Sequence, residues 1–135
     1  MFSYLDHLEC TQCGKDFPHQ ELQKISSCCG KVLYARYDLG RISKEVDRNI
    51  YDGRRGDMWR FSELLPVLKP DNVLTLGEGG TPLLEVGNLA SKLGRKSLFI
   101  KEEGLNPTGT FKARGIAAAV SVSYTHLTLP TTPYV

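Results

Sequence analysis

No stretch of this 135-residue sequence approaches the ~20 consecutive apolar residues that a membrane-spanning helix needs. Met1–Cys10 lacks the basic region and apolar run of a secretory leader. Charge of one sign is scarce as well: 17 basic residues stand against 15 acidic ones, so composition points to neither a nucleic-acid face nor an anionic membrane surface. These absences predict a cytosolic protein. There are no internal repeats and no low-complexity segments. The most local deficit lies at the end: Ile116 to Val135 contains no Asp, Glu, Lys or Arg, in a chain that is 24% charged. The rest is ordinary for a soluble globule, with 41% hydrophobic residues.

The most informative segment is Asn106-Pro107-Thr108-Gly109-Thr110-Phe111-Lys112-Ala113-Arg114-Gly115. Asn-Pro breaks the preceding strand, Gly109 frees the backbone, and Thr110 is placed to cap a helix. Phe111 and Ile116–Val120 supply its largely apolar continuation. A lysine at a helix N-terminus meets the positive end of the dipole, and apolar burial acts in the same direction. Both favour the neutral amine, the form that builds a Schiff base. The plainer reading is a solvated lysine on a first helical turn.

Those ten residues resemble the cofactor-lysine motif of fold type II pyridoxal-phosphate enzymes, and within them most closely the threonine synthase branch. Three further stretches are similar to that family. Leu76-Gly-Glu-Gly-Gly-Thr-Pro-Leu83 resembles its glycine-rich turn, Ile100–Gly104 the strand that delivers the lysine loop, and Asp57–Pro66 its N-terminal helix. The resemblance covers residues 8–120. It implies an α/β fold, the N-terminal part of a tryptophan synthase β-like enzyme preceded by a small zinc-ribbon-like segment. It also implies pyridoxal phosphate as cofactor and conversion of O-phospho-L-homoserine and water to L-threonine and phosphate. Lys112 is then the catalytic residue that holds the cofactor and shuttles protons. Arg114 positions the helix or a carboxylate. Thr81, Lys101, Asn106, Thr108 and Arg114 are candidates for the substrate pocket, with structural turn roles as the alternative. The implied partner is a small phosphorylated amino acid, with no nucleic acid and no membrane. A sister enzyme of the same fold (a threonine or serine dehydratase, a cysteine or cysteate synthase) is the nearest rival.

The four cysteines fall into Cys10-x-x-Cys13 and Cys28-Cys29, each pair followed by glycine. The arrangement resembles a zinc ribbon, in which four thiolates hold one tetrahedral Zn²⁺ and substitute for a hydrophobic core. The second pair is irregular, because zinc knuckles want one or two residues between ligands. Ser26 stands where the first cysteine of a spaced pair ending at Cys29 belongs. Cys29 fits the pattern best, and Cys28 or His19 completes the set. A ribbon that has lost its metal and kept its shape is the alternative; a disulfide is not expected in a reducing compartment. A nucleic-acid-binding ribbon is a reading of another class. It meets a balanced segment, with Lys15, Lys24, Lys31 and Arg36 against Glu9, Asp16, Glu21 and Asp38.

Along the chain, residues 1–39 read as the ribbon-like segment, 40–72 as a connector with an N-terminal helix, and 73–120 as the start of the cofactor domain. Helix is expected from Ser43, from Trp59 to Leu65 and from Val86 to Leu93, the last capped by Gly94. Strands are expected at 73–76 and 97–101. Trp59, Phe61, Leu64 and Leu65 are expected to pack. Gly77, Gly79 and Gly80 allow either a tight turn or close approach of substrate to backbone.

Residues 121–135 depart from the family pattern. Val122–Thr131 reads as the translation of transposase adapter DNA used in library preparation (GTC TCT TAT ACA CAT CTG ACG CTG CCG ACG). The chain is therefore expected to be truncated there, to carry a non-native tail, and to be inactive alone. Long-read sequencing across the codons for Val120 to Val135 should replace the uncharged ending by a charged helix. An unchanged genomic ending would reject the adapter reading.

Overall fold

Two glycine-ended turns fold the front of the chain into a ribbon. The computed structural model describes residues 1–126. Strands β1 (Leu5–Cys10), β2 (Asp16–Phe17) and β3 (Leu33–Tyr37) form an antiparallel sheet in the order β2-β1-β3. Leu8 faces Phe17 on one side and Ala35 on the other, and a register shift between Leu5 and His7 bends β1. Arg36 spans the sheet to hold Glu9 with two hydrogen bonds of 2.7 and 3.0 Å. Among residues 1–39 the buried apolar side chains are only Tyr4, Cys10 and Phe17. This is a small core for a segment of that length.

The connector is shaped by aspartates. Asp38 accepts the Arg41 N–H, so helix α1 spans Leu39–Glu45 and starts earlier than the expected Ser43. Asp57 likewise caps Met58–Leu64 through the Trp59 N–H. This stretch is 3₁₀ rather than α-helix and leaves helical geometry at Phe61 (φ −106°, ψ 36°), with Pro66 closing it off. Met58, Trp59 and Val67 make the main core, packed by Phe2, Leu65, Val73, Ala117, Ala118 and Val122. Trp59 and Leu65 therefore pack as expected. Phe61 and Leu64 do not: both are over 40% exposed, because the kink turns Phe61 outward onto the Tyr51 ring, 5.1 Å between centroids. The ribbon is tied to this core by Ser3 Oγ donating to the Leu65 carbonyl and Tyr4 N–H to the Glu63 carbonyl.

From residue 83 strands and helices alternate, giving a mixed α/β arrangement: β4 (Leu83–Glu85), α2 (Gly87–Lys92), β5 (Phe99–Lys101) and α3 (Lys112–His126). Gly94 ends α2 at φ 63°, as its sequence position predicts. Strand β5 falls within the expected 97–101 but starts two residues later, and β4, which pairs antiparallel with it, has no counterpart among the expected strands. The strand expected at 73–76 does not form; the segment has no regular secondary structure and bends at Leu76. Its Leu74 N–H and carbonyl both bond the Ser121 hydroxyl on α3, at 2.9 and 3.3 Å, so a helix side chain takes the place of a partner strand. Ser121 is fully buried there, and α3 runs unbroken through residues 121–126; the rest of the expected adapter tail, 127–135, lies outside the described residues. Among the described residues no helix is long and apolar enough to cross a membrane.

Strands β4 and β5 are exposed along their whole length, and Leu76, Leu83, Leu105, Phe111 and Ile116 are each more than half exposed. So many exposed apolar side chains promote association. The 135-residue chain alone is expected to bind the dye ANS strongly and to exchange its 83–101 amides rapidly. A sharp cooperative melt without dye binding would contradict this.

Candidate active site and cysteine cluster

The lysine loop keeps the expected Gly109 turn and Thr110 contact, but it is Glu102 and a 3₁₀ turn that end β5 at Lys101, not Asn106-Pro107. After β5, Glu102 caps the 3₁₀ turn Glu103–Leu105 through the Gly104 N–H, and Gly109 turns the chain at φ 68° with its N–H on the Asn106 carbonyl. Thr110 Oγ1 then accepts from the N–H of Lys112, the first residue of α3, at 3.4 Å. The Lys112 side chain is exposed, so the apolar walls that favour a neutral amine are absent among the described residues.

Four of the five pocket candidates join one network. Arg114 grips Glu103 through Nε and Nη2, both at 2.8 Å, and its Nη2 also donates to the Gly79 carbonyl at 2.9 Å. Thr81 donates its hydroxyl to Glu103 at 2.7 Å, and Lys101 Nζ donates to the Thr81 carbonyl. Asn106 receives the Gly79 N–H on Oδ1 and donates Nδ2 to the Glu103 carbonyl and carboxylate. Its polar atoms are thus occupied by the chain itself. Thr108, exposed, stands apart on the rim of an apolar recess of about 300 Å³ lined by Leu74, Ala113, Ile116 and Val120. Arg114, Thr81 and Asn106 together hold the Glu103 carboxyl well below the usual carboxylate range.

The glycine turn is fixed from beneath by Glu78. This carboxylate is 1% exposed yet accepts from Trp59 Nε1, Thr75 Oγ1 and the Leu76 N–H, all within 3.0 Å. Burial acts to raise its pKa, but the backbone amides of Glu78 and Leu76, with Thr75 and Trp59, outweigh it and leave the group below its ordinary value. A Cβ on Gly79, already at φ 110°, would lie 2.5 Å from the Met58 nitrogen. Gly79 therefore allows approach of the chain's own backbone. Glu78 and Glu103 escaped the sequence reading; the available signals were an acid inside a glycine turn and an acid eleven residues before Arg114.

The sulfur atoms of Cys10, Cys13, Cys28 and Cys29 all lie within 4.8 Å of one another, and Cys13 and Cys28 approach to 3.4 Å. Tetrahedral Zn²⁺ with ~2.3 Å bonds places its sulfurs ~3.8 Å apart, so the donor set fits that ion. The thiols also disturb one another. Cys10 is drawn down to about 6 by Ser26 and the Cys13 and Gln12 amides, while Cys29 is pushed up to about 12 by Cys13 and Cys28. His19 is outside the cluster, with Nδ1 on the Asp6 carbonyl at 2.8 Å.

Residues 74–129 match the family described as pyridoxal-phosphate dependent enzyme. The threonine synthase of Methanocaldococcus jannaschii is 41% identical over 113 residues, covering 83% of this chain and 27% of that protein. That of Methanosarcina acetivorans is 37% identical over 115 residues (85% and 27%), and that of Halalkalibacterium halodurans 48% over 67 residues (50% and 19%). The likeness is to threonine synthases. The chain spans about a quarter of the length of the first two relatives. No solved structure gives a significant match. The matched stretch contains both the glycine turn and Lys112, so the network lies within the region of family likeness.

A folded pKa held below the unfolded one makes the Glu103 contribution fully present above the ordinary carboxylate range and lost only as pH falls through the depressed value. In the whole protein, the Arg114 Nε–H resonance should therefore stay shifted well below pH 4.5, the ordinary glutamate value. Glu103→Gln should return it toward free arginine at every pH; an unaltered resonance would remove Glu103 from the clamp.

Proposed function

We propose that this chain is the front part of a threonine synthase, with Lys112 as the residue that holds pyridoxal phosphate. The observation that carries the reading is the lysine at the first position of α3, behind the Asn106–Gly109 turn, inside the stretch that matches the cofactor family. When bound, pyridoxal phosphate supplies an electron sink for negative charge at the substrate Cα. The chain's own residues do the rest. Lys112 Nζ takes the Cα proton of phosphohomoserine and serves as carrier for protons between Cα, Cβ and Cγ. Loss of a Cβ proton releases phosphate from Cγ, and water adds at Cβ to complete threonine. Arg114, Thr81, Lys101 and Asn106 act as positioning residues, holding the glycine turn against the lysine loop. Thr108, on the rim of the recess, is the pocket candidate left free to meet substrate.

The ribbon is read as a structural zinc site, the enzyme as cytosolic, and residues 122–131 as foreign to the native sequence. A nucleic-acid role finds little support, since Arg36 is committed to Glu9 and Lys15 lies over the Phe17 ring.

In the whole enzyme, Lys112→Ala should abolish both phosphate release from phosphohomoserine and the visible absorption of the lysine-bound cofactor. Full turnover by that variant would reject the assignment. Keto-acid formation from threonine, without phosphate release from phosphohomoserine, would move the protein to the dehydratase branch.

A further inference from the structure

The two turns of the ribbon are near copies of each other, and one carries the wrong residue. In the first, the Gly14 N–H bonds the Cys10 carbonyl at 3.0 Å and the Cys10 N–H bonds the Lys15 carbonyl at 2.9 Å. In the second, the Gly30 N–H bonds the Ser26 carbonyl at 2.8 Å and the Ser26 N–H bonds the Lys31 carbonyl at 2.7 Å. Gly14 and Gly30 both take positive φ, 71° and 64°. Ser26 is thus the geometric twin of Cys10, and Cys29 the twin of Cys13.

A neutral hydroxyl is a poor partner for Zn²⁺ beside thiolates. The Ser26 hydroxyl is also engaged: it is 1% exposed, accepts the Lys31 N–H at 2.9 Å and meets Cys10 Sγ at 3.3 Å. Cys28, off the repeat, has its sulfur in the cluster.

Resting on the zinc reading above, we infer that Cys28 has taken over the metal-ligand position vacated by Ser26. The site is then Cys10, Cys13, Cys28 and Cys29, with an adjacent cysteine pair on one ion. Ser26 keeps a different task. With Cys10 as a thiolate, the hydroxyl donates to its sulfur while accepting from Lys31, which fixes the ligand and offsets part of its charge.

The test uses the full chain, reduced and loaded with Zn²⁺ or Co²⁺ alone under anaerobic conditions. One metal should bind per chain, and alkylation followed by peptide mapping should leave all four cysteines protected. Cys28→Ser should weaken Zn²⁺ binding at least about tenfold and cut the thiolate-to-Co²⁺ charge-transfer band by about a quarter. Combining Ser26→Cys with Cys28→Ser should restore both, because the regular spacing returns.

Alkylation of Cys28 at full metal occupancy would overturn the inference while leaving the zinc site standing. So would failure of the double variant to recover binding when it folds like the parent. Absence of any bound metal would remove the zinc reading itself. The alkylation map of the parent chain decides the point even if Cys28→Ser fails to fold.

Discussion

The Glu103–Arg114 pair is the contact on which the candidate site depends. It joins three segments that are distant in sequence: the glycine turn through the Gly79 carbonyl and Thr81, the 3₁₀ turn after β5, and the first turn of α3. Its value lies in direction more than in energy. Both side chains are about a third exposed, and ion pairs so placed contribute roughly 0–1 kcal/mol after solvent screening. The planar guanidinium, however, accepts only a narrow range of carboxylate orientations, so two parallel bonds fix an angle as well as a distance. Asn106 completes the triangle, and no edge of it can move without breaking a bond to another.

Beneath that clamp the burial of Glu78 has a similar logic with higher stakes. An isolated carboxylate at 1% exposure is strongly unfavourable, and here it is tolerated because three donors converge on it. One of these is the indole of Trp59, which also belongs to the main apolar core. The glycine turn is therefore set from two sides, by Trp59 and Glu78 from the core and by Arg114 from the lysine helix. Polar specificity and apolar packing meet at a single tryptophan.

Local features were legible in the sequence and most non-local ones were not. The Thr110 cap and the Gly94 stop depend on neighbours within a few residues, and each follows from residue type and spacing; the cysteine cluster is non-local but was legible because each half ends in a cysteine followed by glycine. The start of α1 escaped because residues up to 39 read as the ribbon-like segment, whereas the Asp38 side chain opens the helix. Strand β4 and the helix-bound Leu74 escaped because pairing choices depend on what lies opposite, 47 residues away for Ser121. The candidate site divides the same way. Lys112 could be named from its local motif, whereas the roles of Glu103 and Glu78 rest on Arg114 and Trp59, eleven and nineteen residues away.

The positions around Lys112 separate fixing from acting. Ala113 is 6% exposed and packs inward, Arg114 is clamped, and Thr110 bonds the Lys112 nitrogen, so the backbone of the lysine is held from both sides. Its side chain alone points away from these constraints into open space. A backbone held by its neighbours and an exposed amine suit the role proposed for Lys112. Lys101 and Arg114 are tied to carbonyls and to Glu103, whereas the Lys112 side chain is exposed.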